Sequence, residues 1–371
     1  MDTLCAEISI LGLARSNDRE LWLRPDPQRR AWQLGAEALA LALADAGLTA
    51  ADLDGLLLSR LPLDQAGRLG VELSRLSWLE ATPGEGRFCA PALLRAAQAI
   101  SRGQARRLAL VYANDSRSRR TGYGGRSGPE TQYGDVYGFT SPGAWLALAW
   151  QRYAGLYGAD PRALAALALR ARQAAALDPL AVPLPPWREQ DYFASPYVAE
   201  PLRRADYCLV NDGAVCLIIG PPAAAAPGSR PQVRLKQGAC LAMPPGLYMG
   251  EDFFYTQARS LLAQLSPVPD PDELLLIYDN FTPNIIFALE GFGLSPQGQG
   301  WSQVLAGRFP HLNPGGGLLA NSYMQGWNLV HEAVTQLRGQ AGARQVGDCK
   351  RAWYLCTSAV VGALCLERAE E

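Results

Sequence analysis

One order of elements occurs twice in this chain, and it restricts the fold more than any other feature. In the first half a helical pattern, "AWQLGAEALALALADAGL", leads through the acidic turn of "TAADLDGLLLSRL" into an apolar strand. In the second half "YTQARSLLAQL" leads through "SPVPDPDELLLIYDNF", again an acidic turn and then a strand of leucines. A further helix and strand follow each time. They are "ALLRAAQAISRG" and "RRLALVYA" first, then, after an insert, "WNLVHEAVTQLRG" and "RAWYLCTSAV". Helical patterns alternating with short apolar runs specify an α/β protein. The repeat predicts two similar βαβα halves, residues 1–220 and 233–371.

Between them "GPPAAAAPGSRPQ" carries Pro and Gly at both ends, which continue neither a helix nor a central strand, so 221–232 reads as a linker. Just before it, "DYCLVNDGAVCLIIGP" reads as a buried strand, a turn at Asp212–Gly213 and a second buried strand. An excursion near 115–200 interrupts the first half and holds "NDSRSRRTGYGGRSGPETQYGDVYGF". It reads either as a solvated loop or as a cap whose arginines meet phosphates or a partner surface.

Charge and composition remove whole classes of function. The chain of 371 residues has a net charge of −1, unlike a binder held to nucleic acid by bulk charge. No apolar run approaches the roughly 20 residues that span a bilayer. The first residues, "MDTLCAEISILGLARSNDRE", lack the basic region and cleavage site of a signal peptide, so a cytoplasmic protein is expected. The eight cysteines form no CxxC pair, and His311 and His331 lie far from them, which points to free thiols, no metal site and no cofactor.

The stretch "NPGGGLLANSYMQGWN" concentrates the chemistry. Gly315 to Gly317 permit positive φ and close approach, and Tyr323 stands just ahead of an amphipathic helix whose end favours an anion. His331, two turns further on, reads as a surface or interface histidine rather than a catalytic one. Asp279 reads as a loop cap, and Asp212 as a residue that orders its turn.

Together with the duplicated plan, "NDGAVCLIIG", "YDNFTPNIIFALEGFG" and "NPGGGLLANSYMQGWNLVHEAVTQLRG" resemble the thiolase superfamily, in its lipid-transfer-protein (sterol-carrier) branch. Within that branch, with "YVAEPLRRADYCLVNDGAV", the chain is most similar to aldolases that shorten steroid side chains as CoA thioesters. The resemblance implies a thiolase-like α/β fold, two similar halves in a layered α-β-α-β-α arrangement. It also implies an acyl-CoA substrate, with coenzyme A entering only as part of it, and a homodimer. A companion protein, an OB-fold carrying a zinc ribbon, is implied as well.

Residue by residue, the resemblance places Gly86 where the acyl-accepting cysteine belongs, with Cys89 three residues on. Tyr323 stands at the place of the family's "GHP" histidine, and Tyr278 at that of its "NEAF" asparagine. Cys356 falls on the second cysteine, the acid/base of true thiolases, but Ser358 and Ala359 replace the usual glycines after it. Gly86, Gly316, Gly317, Gly326 and Asn280 are expected beside the substrate or its CoA moiety. Glu85, Arg87 and Phe88 interrupt the approach to the pocket. Without the nucleophile, condensation or thiolysis through an acyl-enzyme fails.

Retro-aldol cleavage of a β-hydroxyacyl-CoA needs no acyl-enzyme, only a base for the hydroxyl proton and a donor for the departing thioester enolate. A phenol can do either. With a pKa near 10, only about a thousandth of a free tyrosine is phenolate at pH 7. Lowering it by about two units takes about 2.7 kcal/mol. A helix end gives about 0.3–1 kcal/mol, rising to about 2 when partly buried, so further donors near Tyr323 are required. Asn321, Ser322 and Gln325 are the neighbouring candidates. The expected assignment is Tyr323 as base and Tyr278 as acid or enolate donor, and the sequence leaves the reverse open. It also leaves open an acyltransferase using Cys89 or Cys356, and a non-catalytic scaffold.

Overall fold

The computed structural model describes residues 8–82, 88–121, 136–139, 141–222, 231–242, 252–358 and 360–369. Gly86, Glu85, Arg87, Ala359, 122–135 of the excursion and 223–230 of the expected linker lie outside the described residues.

The strands of the main sheet are β1 (Ser9–Arg15), β2 (Gly55–Ser59), β3 (Trp78–Thr82), β4 (Leu108–Asp115) and β5 (Asp212–Gly220), then β6 (Val233–Ala242), β7 (Leu274–Ile277), β8 (Arg351–Cys356) and β9 (Val360–Arg368). They run in the order β3-β2-β4-β5-β1-β6-β9-β8-β7. The pairing repeats about the middle of that order. β2 lies parallel to β4, which is antiparallel to β5, which is antiparallel to β1. Likewise β7 lies parallel to β8, which is antiparallel to β9, which is antiparallel to β6. The two sets join where Ser9 and Ile10 of β1 pair with Arg234 and Val233 of β6.

Helices cover both faces of each set, which is why strands such as "GLLLS" and "LLLI" are buried throughout rather than alternating. Helix α1 (Ala31–Ala46) packs on one face of the first set, against Leu56, Leu58, Val111 and Ile218. Helices α2 (Cys89–Ser101) and α7 (Trp327–Leu337) share the middle layer between the two sets. The far face of the second set is covered by α5 (Tyr255–Leu262) and α6 (Thr282–Gly291). From the excursion, α3 (Pro142–Tyr157) and α4 (Arg162–Ala175) join that outer layer. The result is the α-β-α-β-α stack of a thiolase-like fold.

One expectation is corrected. "YCLV" before Asn211 is no strand, and Asp212–Gly213 is no turn between strands. Asp212 and Gly213 are the first residues of β5, paired with Asp115 and Asn114 of β4. Upstream, the Cys208 and Leu209 N–H groups donate to the carbonyls of Asn280 (2.9 Å) and Leu318 (3.1 Å). Leu209 is therefore buried against segments of the second half at Asn280 and Leu318, not by a neighbouring strand.

Candidate active site

Strand periodicity assembles the site. Along β7 and just past it, Leu275 and Ile277 face the outer layer, while Leu274, Leu276 and Tyr278 face the middle one. Along β8, Trp353 and Leu355 face outward and Ala352, Tyr354 and Cys356 inward. Two residues per repeat thus put Tyr278, Tyr354 and Cys356 in one layer. Cys89 enters it from the N-terminus of α2, and Tyr323 and Met324 from the segment before α7. The Tyr278 and Tyr323 hydroxyls meet at 3.4 Å, either able to donate, which is longer than a settled O–H···O bond. Tyr278 is 1% exposed and Tyr323 8%, so Tyr323 is the more accessible of the pair.

The glycine segment is built to hold Tyr323 in place. Asn313 pins its start to β7, accepting from the Ile277 N–H (2.8 Å) and donating to the Ile277 carbonyl (2.9 Å). Gly317–Asn321 form a single π-helical turn, wider than an α-turn. Asp279 caps it, accepting from the Leu318 N–H at 2.8 Å and the Leu319 N–H at 3.4 Å. At the far end, the Tyr323 N–H donates to Asn211 Oδ1 (2.7 Å), and Asn211 Nδ2 donates to Ser322 Oγ (2.8 Å). Asn328 Nδ2 donates to the Ser322 carbonyl at 2.8 Å. The helix α7 begins at Trp327, four residues beyond Tyr323, behind Gly326 with φ of 94°.

The close approaches of the three glycines are to the chain's own groups. A Cβ on Gly316 would meet the Ala171 carbonyl of α4 at 2.6 Å, and one on Gly317 would overlap the Asp279 carboxylate at 2.0 Å. On Gly326 it would stand 2.7 Å from the Tyr354 hydroxyl. Asn280 is tied locally: its carbonyl accepts from Cys208 and its Oδ1 from Asn284 Nδ2 at 2.6 Å. Of the donors expected near Tyr323, Asn321 is engaged elsewhere, with Asp178 (2.8 Å), the Gly315 carbonyl (2.7 Å) and Arg15. Ser322 is bound to Asn211, and Gln325 takes the left-handed conformation at φ 52° in the turn. Asp212 holds the loop after β4, accepting from the Arg117 and Ser118 N–H groups.

Electrostatically, Tyr278 and Cys89 keep their protons. Burial, then the neighbouring Tyr323 and Cys356, push the Tyr278 hydroxyl well above the ordinary tyrosine range. Burial and Cys356 likewise push the Cys89 thiol well up, the opposite of what a nucleophilic thiolate needs. Asp279 is pushed up to about 7 by burial, opposed by the Leu318 and Leu319 N–H groups. Tyr278 and Cys89 are therefore neutral donors rather than ready anions.

Sequence reasoning missed four residues. Tyr354 shares its strand face with Cys356, and the two-residue alternation was the signal for it. Asn211, Asn313 and Asn328 stood out only as polar residues beside apolar runs. His331 is corrected too. It is no surface residue but a half-buried one, held well below the usual histidine range by burial and by Arg15, Arg344 and Arg338.

Residues 269–363 match the thiolase C-terminal domain-like family. The 17-hydroxy-3-oxo-4-pregnene-20-carboxyl-CoA lyase of Mycobacterium tuberculosis is 30% identical over 339 residues, 83% of this chain and 86% of that one. The chain belongs to the lipid-transfer branch of the thiolase superfamily, near the steroid side-chain-cleaving aldolases. The steroid side-chain-cleaving aldolase of Thermomonospora curvata is 27% identical over 85% of this chain and 87% of its own. The solved structure of the Ltp2-ChsH2(DUF35) aldolase superposes with a TM-score of 0.84 over 99% of both chains, at 24% identity, and bears on the fold alone. In this thiolase-like chain Tyr278, Tyr323, Tyr354, Cys89 and Cys356 all lie in the middle layer.

Proposed function

We propose that this chain is a carbon–carbon lyase that cleaves a β-hydroxyacyl-CoA by a retro-aldol reaction, with steroid side-chain CoA thioesters as its substrate class. The meeting of the Tyr278 and Tyr323 hydroxyls inside the middle layer carries the reading. Tyr323, as its phenolate, takes the proton of the β-hydroxyl, and the Cα–Cβ bond breaks as the β-carbon becomes a ketone or aldehyde. The electron pair of that bond moves into the thioester, forming an enolate. Tyr278, kept neutral by burial, donates to the enolate oxygen, and the proton taken from the hydroxyl returns to Cα. The products are a short acyl-CoA, acetyl- or propionyl-CoA, and the carbonyl compound. Atoms and charge balance without free CoA.

The family relationship supports two further elements, a homodimer and an OB-fold companion with a zinc ribbon. The name of the Ltp2-ChsH2(DUF35) aldolase, with two components, is in keeping with a companion protein of some kind. Co-expression with such a companion and incubation with a panel of β-hydroxyacyl-CoAs tests the whole reading. A short acyl-CoA is expected to appear without added CoA, and Tyr323→Phe and Tyr278→Phe are each expected to lose about 10²–10⁴-fold in rate. Cleavage retained in both variants sinks the tyrosine mechanism. Dependence on free CoA, with an acylated Cys89 or Cys356, would instead mark an acyltransferase. Inactivity beside a stable companion complex would mark a scaffold.

A further inference from the structure

Resting on that reading, we propose that Tyr354 is a positioning residue of this site, a third phenol whose proton stabilises negative charge forming on the Tyr323–Tyr278 pair. Its side chain is fully buried, and its hydroxyl has no oxygen or nitrogen hydrogen-bond partner. The Cys356 thiol, a weak hydrogen-bonding group, is its neighbour there, so phenylalanine would fill the same space at little cost. The hydroxyl lies against Gly326, where a Cβ would stand 2.7 Å from it, in the turn three residues after Tyr323. Only a glycine there admits the phenol. Cys356, two residues on in β8, shares its face.

The ionisable groups that Tyr354 faces are Cys356 on its own strand, Cys89 on α2 and Tyr323 on the glycine segment, while Tyr278 beyond β7 responds to it in turn. Burial, then Cys356 and Cys89, hold Tyr354 well above the ordinary tyrosine range, so it keeps its proton while a neighbour loses one. A buried neutral donor beside a phenol lowers the cost of the phenolate. This supplies a donor of the kind that the helix end alone does not replace.

The test is Tyr354→Phe in the full chain, with its companion where the wild type requires one. The thermal midpoint is expected to stay level or rise. The value of kcat is expected to fall by about tenfold, and the rising limb of its pH profile to move up by about one unit, the equivalent of tenfold in proton affinity. Carbon-13 NMR of ring-labelled tyrosine gives a readout independent of turnover. The Tyr323 signal, assigned with Tyr323→Phe, is expected to titrate at higher pH once Tyr354 is phenylalanine. Wild-type kcat, KM and pH profile in Tyr354→Phe, or a loss of rate with an unmoved profile and an unmoved Tyr323 titration, would overturn the proposal. If the wild type cleaves no β-hydroxyacyl-CoA, the lyase reading alone fails, and the Tyr323 titration still decides the part played by Tyr354.

Discussion

Asn211 does at one position what two residues usually share. Its Oδ1 accepts the Tyr323 N–H and its Nδ2 donates to Ser322, so one amide fixes the backbone that presents the expected base. Removing it leaves a buried N–H unmatched, which costs about 1–3 kcal/mol. Asn211→Ala is therefore expected to lower the urea midpoint by that amount of stability and to lower kcat more than it raises KM. An unchanged kcat in a destabilised variant would show that the clamp serves the fold alone. Tyr323 stood out because it follows a glycine-rich turn ahead of a helix, and Tyr278 because the family resemblance sets it at the place of the "NEAF" asparagine. Tyr354 did not, because a phenol inside "AWYLC" looks like any aromatic of a buried strand. Asn211 is hidden for a different reason: the apolar run before it reads as a strand, which puts the asparagine in a turn.

At the scale of elements, the glycine segment owes its shape to Asp279 more than to its own residues. The carboxylate fills the space beside Gly317 and receives the first N–H groups of the π-turn. Gly317→Ala would drive a methyl into that carboxylate at a φ of 60°, whereas Gly339→Ala meets nothing and bears only the strain of φ 69°. Gly339→Ala should cost about 1 kcal/mol and Gly317→Ala several times that, read from urea midpoints of the two variants. Equal losses would show that the carboxylate yields freely. The helices and main strands were legible because apolar periodicity writes them directly. The π-turn was not, since three glycines announce only freedom of φ, and what uses it lies 38 residues earlier in the chain, at Asp279. The run at Cys208–Leu209 misled for the same reason: its burial comes from distant loops, and no local pattern separates that from sheet burial.

Across the whole molecule, two buried carboxyls brace opposite ends of the segment that carries Tyr323. Asp279, after β7, caps its start, and Asp18, after β1, lies near Ser322 at its end. The first half of the chain thus holds a working segment of the second. Asp18 is pushed up to about 7 by burial, against the pull of Arg15 (3.6 Å), Ser16 (2.6 Å) and Ser322. Asp279 is pushed up to about 7 as well. An unfolded aspartate titrates near 3.9, so between about pH 4 and about pH 7 the folded chain binds more protons than the unfolded one. The contribution of these two groups is then complete below about pH 4 and is lost as pH rises through about 7. His331 acts in the opposite sense. Held neutral by burial, it contributes stability above its unfolded pKa near 6.5, and that contribution is lost as pH falls below it. Urea unfolding of the wild type, Asp18→Asn and Asp279→Asn from about pH 5 to about pH 8 separates the terms. Each variant should show stability falling less steeply between about pH 5 and about pH 7 than the wild type does. A variant whose profile runs parallel to the wild type would mean that its carboxylate is already ionised in the fold. The segment would then be braced by a charge, and Tyr323 would sit nearer to a fixed anion than a forming phenolate can easily bear.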